Sequence, residues 1–61
     1  MMIRKGSLVR LLKPHGSLWQ GKYLSVAEKR EKTLVVYVER KPNGKWSTTT
    51  VPCEDVEEVV S

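Results

Sequence analysis

The stretch that decides the fold reads TLVVYVER (residues 33–40), KPNGK (41–45) and WSTTTVP (46–52). In the first run, aliphatic residues at 34, 36 and 38 alternate with an aliphatic, an aromatic and an acidic residue, which predicts a strand with one apolar face. Asn43-Gly44 tolerates positive φ in a tight reversal, and Pro42 fixes a φ suited to the start of a turn. The stretch therefore predicts a β-hairpin.

Working outward from the hairpin, turn residues divide the rest of the chain into short strands. KPHGS (13–17) predicts a loop, AEKREK (27–32) a charged hairpin tip, and PCED (52–55) a turn or one turn of 3₁₀ helix. The predicted strands are 7–12, 18–26, 33–40, 45–51 and 56–60. The predicted core is Val9, Leu11, Leu24, Val26, Leu34, Val36, Val38, Val51, Val56 and Val59. The fold class is all-β, a single domain over 1–61 built as a partly open five-stranded barrel.

Size and composition limit the function further. A chain of 61 residues buries a thin core, and its single cysteine cannot form an internal disulfide. With one histidine it has no zinc-ligand set of its own, and we expect no cofactor. No apolar run approaches the roughly 20 residues that span a bilayer, and no signal-peptide core follows the first residues. We therefore expect a soluble, cytoplasmic protein.

Charge is distributed unevenly along the chain. All eleven Lys and Arg residues lie between residues 4 and 45 against three acids, a balance of +8, whereas residues 46–61 carry −4. A basic body with an acidic end suits an anionic partner, or a second copy of the chain arranged head to tail. A surface charged only for solvation explains the same pattern.

The layout KGSLVR (5–10), strand, hairpin, EDVEEV (54–59) resembles an SH3-like barrel. Within that fold, the two ends are similar to those of small accessory subunits of photosynthetic and respiratory electron-transfer complexes. The resemblance implies a barrel that is not an enzyme and that docks on a larger assembly.

A more local resemblance is to the type II, plasmid-type dihydrofolate reductases. Val9-Arg10, Lys13, Gly16 and Trp19-Gln20-Gly21 are similar to one segment of that family, which implies that Lys13 lines a pore of a tetramer. The run that holds folate and nicotinamide in that family reads VQIYP. Here residues 48–52 read TTTVP, so the resemblance covers the fold and not the ligand-holding groups.

Several residues admit a structural interpretation beside a functional one. His15 lies in a loop without ligand-spaced partners, which favours a solvated side chain over a metal ligand. Neighbouring acids repel a thiolate at Cys53, so a nucleophilic role is not expected. The hydroxyls of the run 48–50 suit cross-strand pairing. The acids at 54, 55, 57 and 58 are interpreted as solvated, since strand geometry separates them.

Three functions remain, and we rank them. The first is a non-catalytic module that docks on a protein complex, the second is nucleic-acid binding by the same residues, and the third is a divergent, oligomeric pterin reductase. The first two use an aromatic-basic set, since bases stack on aromatic rings and protein interfaces favour the same residues. The candidate partner-binding residues are Lys13, Trp19, Tyr37, Arg40, Lys45 and Trp46. No catalytic residue is assigned.

Overall fold

The computed structural model describes residues 3–59 as one antiparallel sheet of five strands. The elements are β1 (Leu8–Leu11), β2 (Tyr23–Lys29), β3 (Thr33–Arg40), β4 (Trp46–Pro52), the 3₁₀ turn η1 (Cys53–Asp55) and β5 (Val56–Glu58). The strand order is β4-β3-β2-β1-β5, so β4 and β5 are the two edges. The all-β prediction and the 3₁₀ turn before the last strand are confirmed.

The hairpin of β3 and β4 forms as predicted, with a slightly different turn. Lys41 N–H donates to the Lys45 carbonyl at 2.7 Å and Gly44 N–H donates to the Lys41 carbonyl at 2.9 Å. Gly44 has φ of 87°, whereas Asn43 stays at negative φ. The loop is therefore a type I turn closed by a left-handed glycine, with the Asn43 side chain accepting from Lys45 N–H at 2.9 Å.

The predicted strand 18–26 is wrong in its first half. β2 begins at Tyr23, opposite Arg10 of β1, and continues to Lys29, so the charged hairpin tip is shorter than 27–32. Residues 18–22 instead complete a long first loop, where Gly21 has φ of 87° and donates its N–H to the Leu11 carbonyl at 2.7 Å. The turn at Gly21 thus decides where the strand begins.

The core draws side chains from every strand, which requires the sheet to curl on itself. Its members are Ile3, Val9, Leu11, Leu18, Leu24, Val26, Leu34, Val36, Val51 and Val56. Eight of the ten predicted core residues are among them. Val38 and Val59 are only half-buried, and Ile3 and Leu18 were missed. Such a curled sheet is compatible with a small barrel.

The first and last strands are both shorter than predicted, and β1 spans Leu8–Leu11 instead of 7–12. The last strand stops at Glu58 instead of residue 60, which itself lies outside the described residues. Cys53 is half-buried and packs against the core from η1. No helix among residues 3–59 is long and apolar enough to cross a membrane.

Candidate functional site

A shallow groove of about 480 Å³ on the outer face of the sheet collects exposed aromatic side chains. It is lined by Lys22, which precedes β2, and by residues of β2, β3 and β4, among them Tyr23, Ser25, Tyr37, Val38 and Trp46. We call it the aromatic groove. The Tyr37 and Trp46 rings meet edge to face, with centroids 5.9 Å apart. Trp46 remains 54% exposed and Tyr23 58% exposed, so most of both rings faces solvent.

Strand periodicity and one irregularity place these rings together. On β3, Leu34 and Val36 point to the core, so Tyr37 points outward, as predicted. The register between β3 and β4 then shifts between Tyr37 and Glu39, which leaves Val38 as an extra residue. A bulge of this kind increases the local twist. It accompanies the approach of Trp46, which faces Arg40, to the ring of Tyr37.

Three basic residues lie in or beside the aromatic groove. Lys22 lines it directly, Arg40 is the cross-strand neighbour of Trp46, and Lys45 precedes Trp46 in the chain. These belong to a larger group of bases that form no ion pair within residues 3–59: Arg4, Lys5, Lys22, Lys29, Lys32, Arg40, Lys41 and Lys45. The bases near the rings are therefore not held in ion pairs by residues 3–59.

Two of the six predicted partner-binding residues lie in the first loop instead of the hairpin. Trp19 is 80% exposed, and it does not line the aromatic groove. Lys13 extends its ammonium group to within 3.4 Å of Asp55 Oδ1. The structure thus groups Tyr37, Arg40, Lys45 and Trp46 at one end of the hairpin, with Lys13 tied to another region.

That region is a polar cluster of Lys13, His15 and Asp55, which we call the loop latch. His15 Nε2 lies 2.9 Å from Asp55 Oδ2, and Leu12 N–H donates to the Asp55 carbonyl at 2.8 Å. Because an ionised carboxylate only accepts, the His15 nitrogen is the donor in that state. The latch ties the first loop to η1.

The loop latch corrects two predictions. Asp55 was expected to be solvated with the other acids, but it is buried, with 7% of it exposed. It is the one buried charged residue among residues 3–59. His15 was expected to be a solvated loop residue, but its side chain is only 25% exposed and is paired. Burial of a carboxylate requires partners, and the first loop supplies them. Asp55 Oδ1 accepts no hydrogen bond within the described residues, so Lys13 compensates it by charge alone.

A second groove of about 620 Å³ runs between the first loop and the hairpin. Residues 15–18 form one side, and Lys22, Val38, Glu39, Thr49 and Thr50 form the rest. It shares Lys22 and Val38 with the aromatic groove, so the two adjoin. The loop latch therefore holds one wall of a surface that continues into the exposed rings.

Residues 3–59 do not form a metal-binding site. Among residues 3–59, no three His, Cys, Asp or Glu side chains are grouped so that they could hold a metal ion. His15 is engaged with Asp55, and the acid of β5 at position 57 pairs with Arg10 of β1. His15 and Glu57 are therefore each paired with a residue that is distant in the chain.

Sequence reasoning missed Tyr23 and Lys22 as members of the aromatic groove. The signal was present, because Leu24 and Val26 were assigned to the core and Tyr23 alternates with them on the same strand. Because the predicted strand began at residue 18, Trp19 was the first aromatic residue on it and was chosen as a binding residue instead of Tyr23.

Comparisons with known proteins add no family to this description. No protein-family model, no curated protein and no solved structure matches the chain.

Proposed function

We propose that this protein is a non-catalytic binding module that docks on a larger protein assembly through the aromatic groove and the bases beside it. The single observation that carries the proposal is the exposed group of Tyr23, Tyr37 and Trp46. Large aromatic side chains on a surface act as anchors at protein interfaces, where they lose water with little loss of conformational freedom.

The finer fold assignment belongs to the same proposal. We infer an SH3-like barrel, supported by the strand order β4-β3-β2-β1-β5, by the single core shared by all strands and by η1 before β5. In such a barrel the long first loop and the outer sheet face flank one continuous surface. The two adjoining grooves fit that arrangement.

The complementary surface of a partner would have an apolar centre surrounded by acidic side chains. Lys22, Arg40 and Lys45 would meet carboxylates at the rim, while the rings of Tyr37 and Trp46 would meet apolar side chains at the centre. Complementary charge mainly accelerates and orients association, and buried aromatic contacts hold the complex.

The test is affinity capture from extracts of the host with the wild-type chain and with Tyr37→Ala/Trp46→Ala. We expect a defined protein assembly on the wild type, a loss of at least ~10-fold with the double variant, and no change after nuclease treatment. Trp19→Ala is the matched control, because Trp19 is exposed but does not line the aromatic groove. Failure to retain any assembly, or equal capture by the double variant, would contradict the proposal.

Nucleic-acid binding is the second candidate, favoured by the uncompensated bases next to the rings. Stacking on aromatic side chains and neutralisation of phosphates would use the same residues. Fluorescence titration of the Trp residues with single-stranded dT20 at ~50 and ~200 mM salt tests it, because phosphate contacts make the affinity fall steeply with salt. Absence of binding at the lower salt concentration eliminates this candidate.

A further inference from the structure

The outer edge of β4 is a free sheet edge. β4 lies at one end of the strand order and pairs only with β3. Within residues 3–59, no backbone hydrogen bond reaches the side of β4 that faces away from β3. The outward backbone groups of β4 (Trp46–Pro52) therefore have no partner strand in this part of the chain.

The hydrogen bonds that flank β4 show which groups lie on that edge. Cys53 N–H donates to the Lys32 carbonyl at 3.0 Å, so positions 51 and 49 also direct their backbone groups toward β3. At the other end, Lys41 N–H donates to the Lys45 carbonyl, which places position 47 toward β3 beyond the bulge. By alternation, Trp46, Thr48 and Thr50 direct their N–H and carbonyl groups outward.

This edge lacks most of the features that protect sheet edges. None of the seven residues of β4 is charged, and the bulge of the hairpin lies on β3. Pro52, which has no N–H, stands only at the end. Proteins usually block an exposed edge with Lys, with bulges or with short strands, so an unblocked edge of this length is suited to strand addition.

We propose that β4 pairs with β4 of a second copy of this chain, antiparallel, around a two-fold axis at Thr49. In this register Thr48 of one copy faces Thr50 of the other, and Trp46 faces Pro52. The outward backbone groups then form about six inter-chain hydrogen bonds. An uncharged strand can meet its own copy without like charges in contact, which a basic strand could not.

The charges next to β4 are compatible with this register. Lys45 immediately precedes β4 and Glu54 follows it within η1. Both side chains are exposed and have no ion-pair partner within residues 3–59. Pairing around Thr49 places Lys45 of each copy opposite Cys53 of the other and one position from Glu54, which the long Lys45 side chain can reach. The interface thus contains the same ion pair twice, as two-fold symmetry requires.

The dimer goes beyond the proposed function and does not depend on it. Pairing at β4 would join the two sheets and set the aromatic grooves of both copies on one continuous surface. Self-association is measured on the isolated protein, so its failure leaves the docking proposal intact, and loss of partner capture leaves the dimer intact.

Sedimentation velocity of the full chain over a concentration series up to ~1 mM tests the inference, since an interface of this small size gives a weak complex. We expect a monomer–dimer equilibrium. Thr50→Pro, which removes an outward N–H, should weaken dimerisation at least ~10-fold, and Lys45→Glu should do the same by repulsion from Glu54. Lys45→Glu combined with Glu54→Lys should restore the wild-type association.

Lys41→Glu is the matched control, because it makes the same charge change in the same turn without facing Glu54. Circular dichroism of each variant establishes that it is folded, and the charge reversals keep the test valid if Thr50→Pro does not fold. A monomer at all concentrations overturns the inference. So does a dimer that neither charge reversal alters, or capture of a foreign extended peptide at β4 without self-association.

Discussion

The loop latch and the hairpin end both contain several charged side chains, but within residues 3–59 only those of the loop latch are paired. In the loop latch, the polar atoms of His15 and Lys13 both contact the Asp55 carboxylate, which is buried. At the hairpin end, Trp46, Arg40 and Lys45 are exposed, and the two bases form no ion pair within the described residues.

This difference separates structural residues from candidate binding residues. Groups that satisfy one another contribute mainly to the free energy of folding, because removal of one leaves the others without a partner. Exposed groups contribute little to folding and remain available to another molecule. Substitutions in each region test whether the two behave in these two ways.

The largest effect is expected at Asp55. Asp55→Ala removes the acceptor for His15 and the counter-charge for Lys13, so the free energy of unfolding should fall by about 2 kcal/mol. Urea denaturation of the monomer at low concentration measures it. Glu54→Ala, an exposed neighbour in η1, should change stability by no more than ~0.5 kcal/mol. Equal effects of the two substitutions would remove the distinction between the regions.

An intermediate effect is expected between the rings of the hairpin end. Edge-to-face aromatic pairs contribute about 0.5–1.5 kcal/mol beyond the burial of their area. Because both rings are partly exposed, we expect this pair to lie near the lower limit. A double-mutant cycle of Tyr37→Ala and Trp46→Ala should give a coupling of about 0.5 kcal/mol in urea denaturation. The cycle of Tyr23→Ala with Trp46→Ala is the control, with a coupling near zero. A coupling as large as the effect of Asp55→Ala would show that the two rings serve mainly to stabilise the fold.

The smallest effect is expected at Lys13. Its side chain is 68% exposed, its ammonium group lies 3.4 Å from Asp55 Oδ1, and exposed ion pairs contribute little. Lys13→Met should therefore lower the free energy of unfolding by no more than ~0.5 kcal/mol, close to the exposed control Lys5→Met. A loss near that of Asp55→Ala would show that Lys13, and not His15, is the principal partner of the carboxylate.

Local patterns predicted the hairpin well and the long-range contacts poorly. The alternation around Val36 and the glycine at 44 determine β3, β4 and the turn between them, and they also place Tyr37 outside. The pairing of His15 with Asp55 joins positions 40 residues apart, and no local spacing encodes it. The start of β2 was misjudged because residues 18–26 are rich in aromatic and aliphatic side chains, whereas the turn at Gly21 delays the strand to Tyr23.

The separation of His15 and Asp55 along the chain also bears on the order of assembly. A contact over 40 residues forms at a high cost in chain entropy unless the intervening strands have already brought its ends together. We therefore expect the first loop to adopt its native conformation last, after the strands of the sheet have paired. Loss of Asp55 should then accelerate unfolding while leaving the refolding rate nearly unchanged, which stopped-flow kinetics of Asp55→Ala would measure.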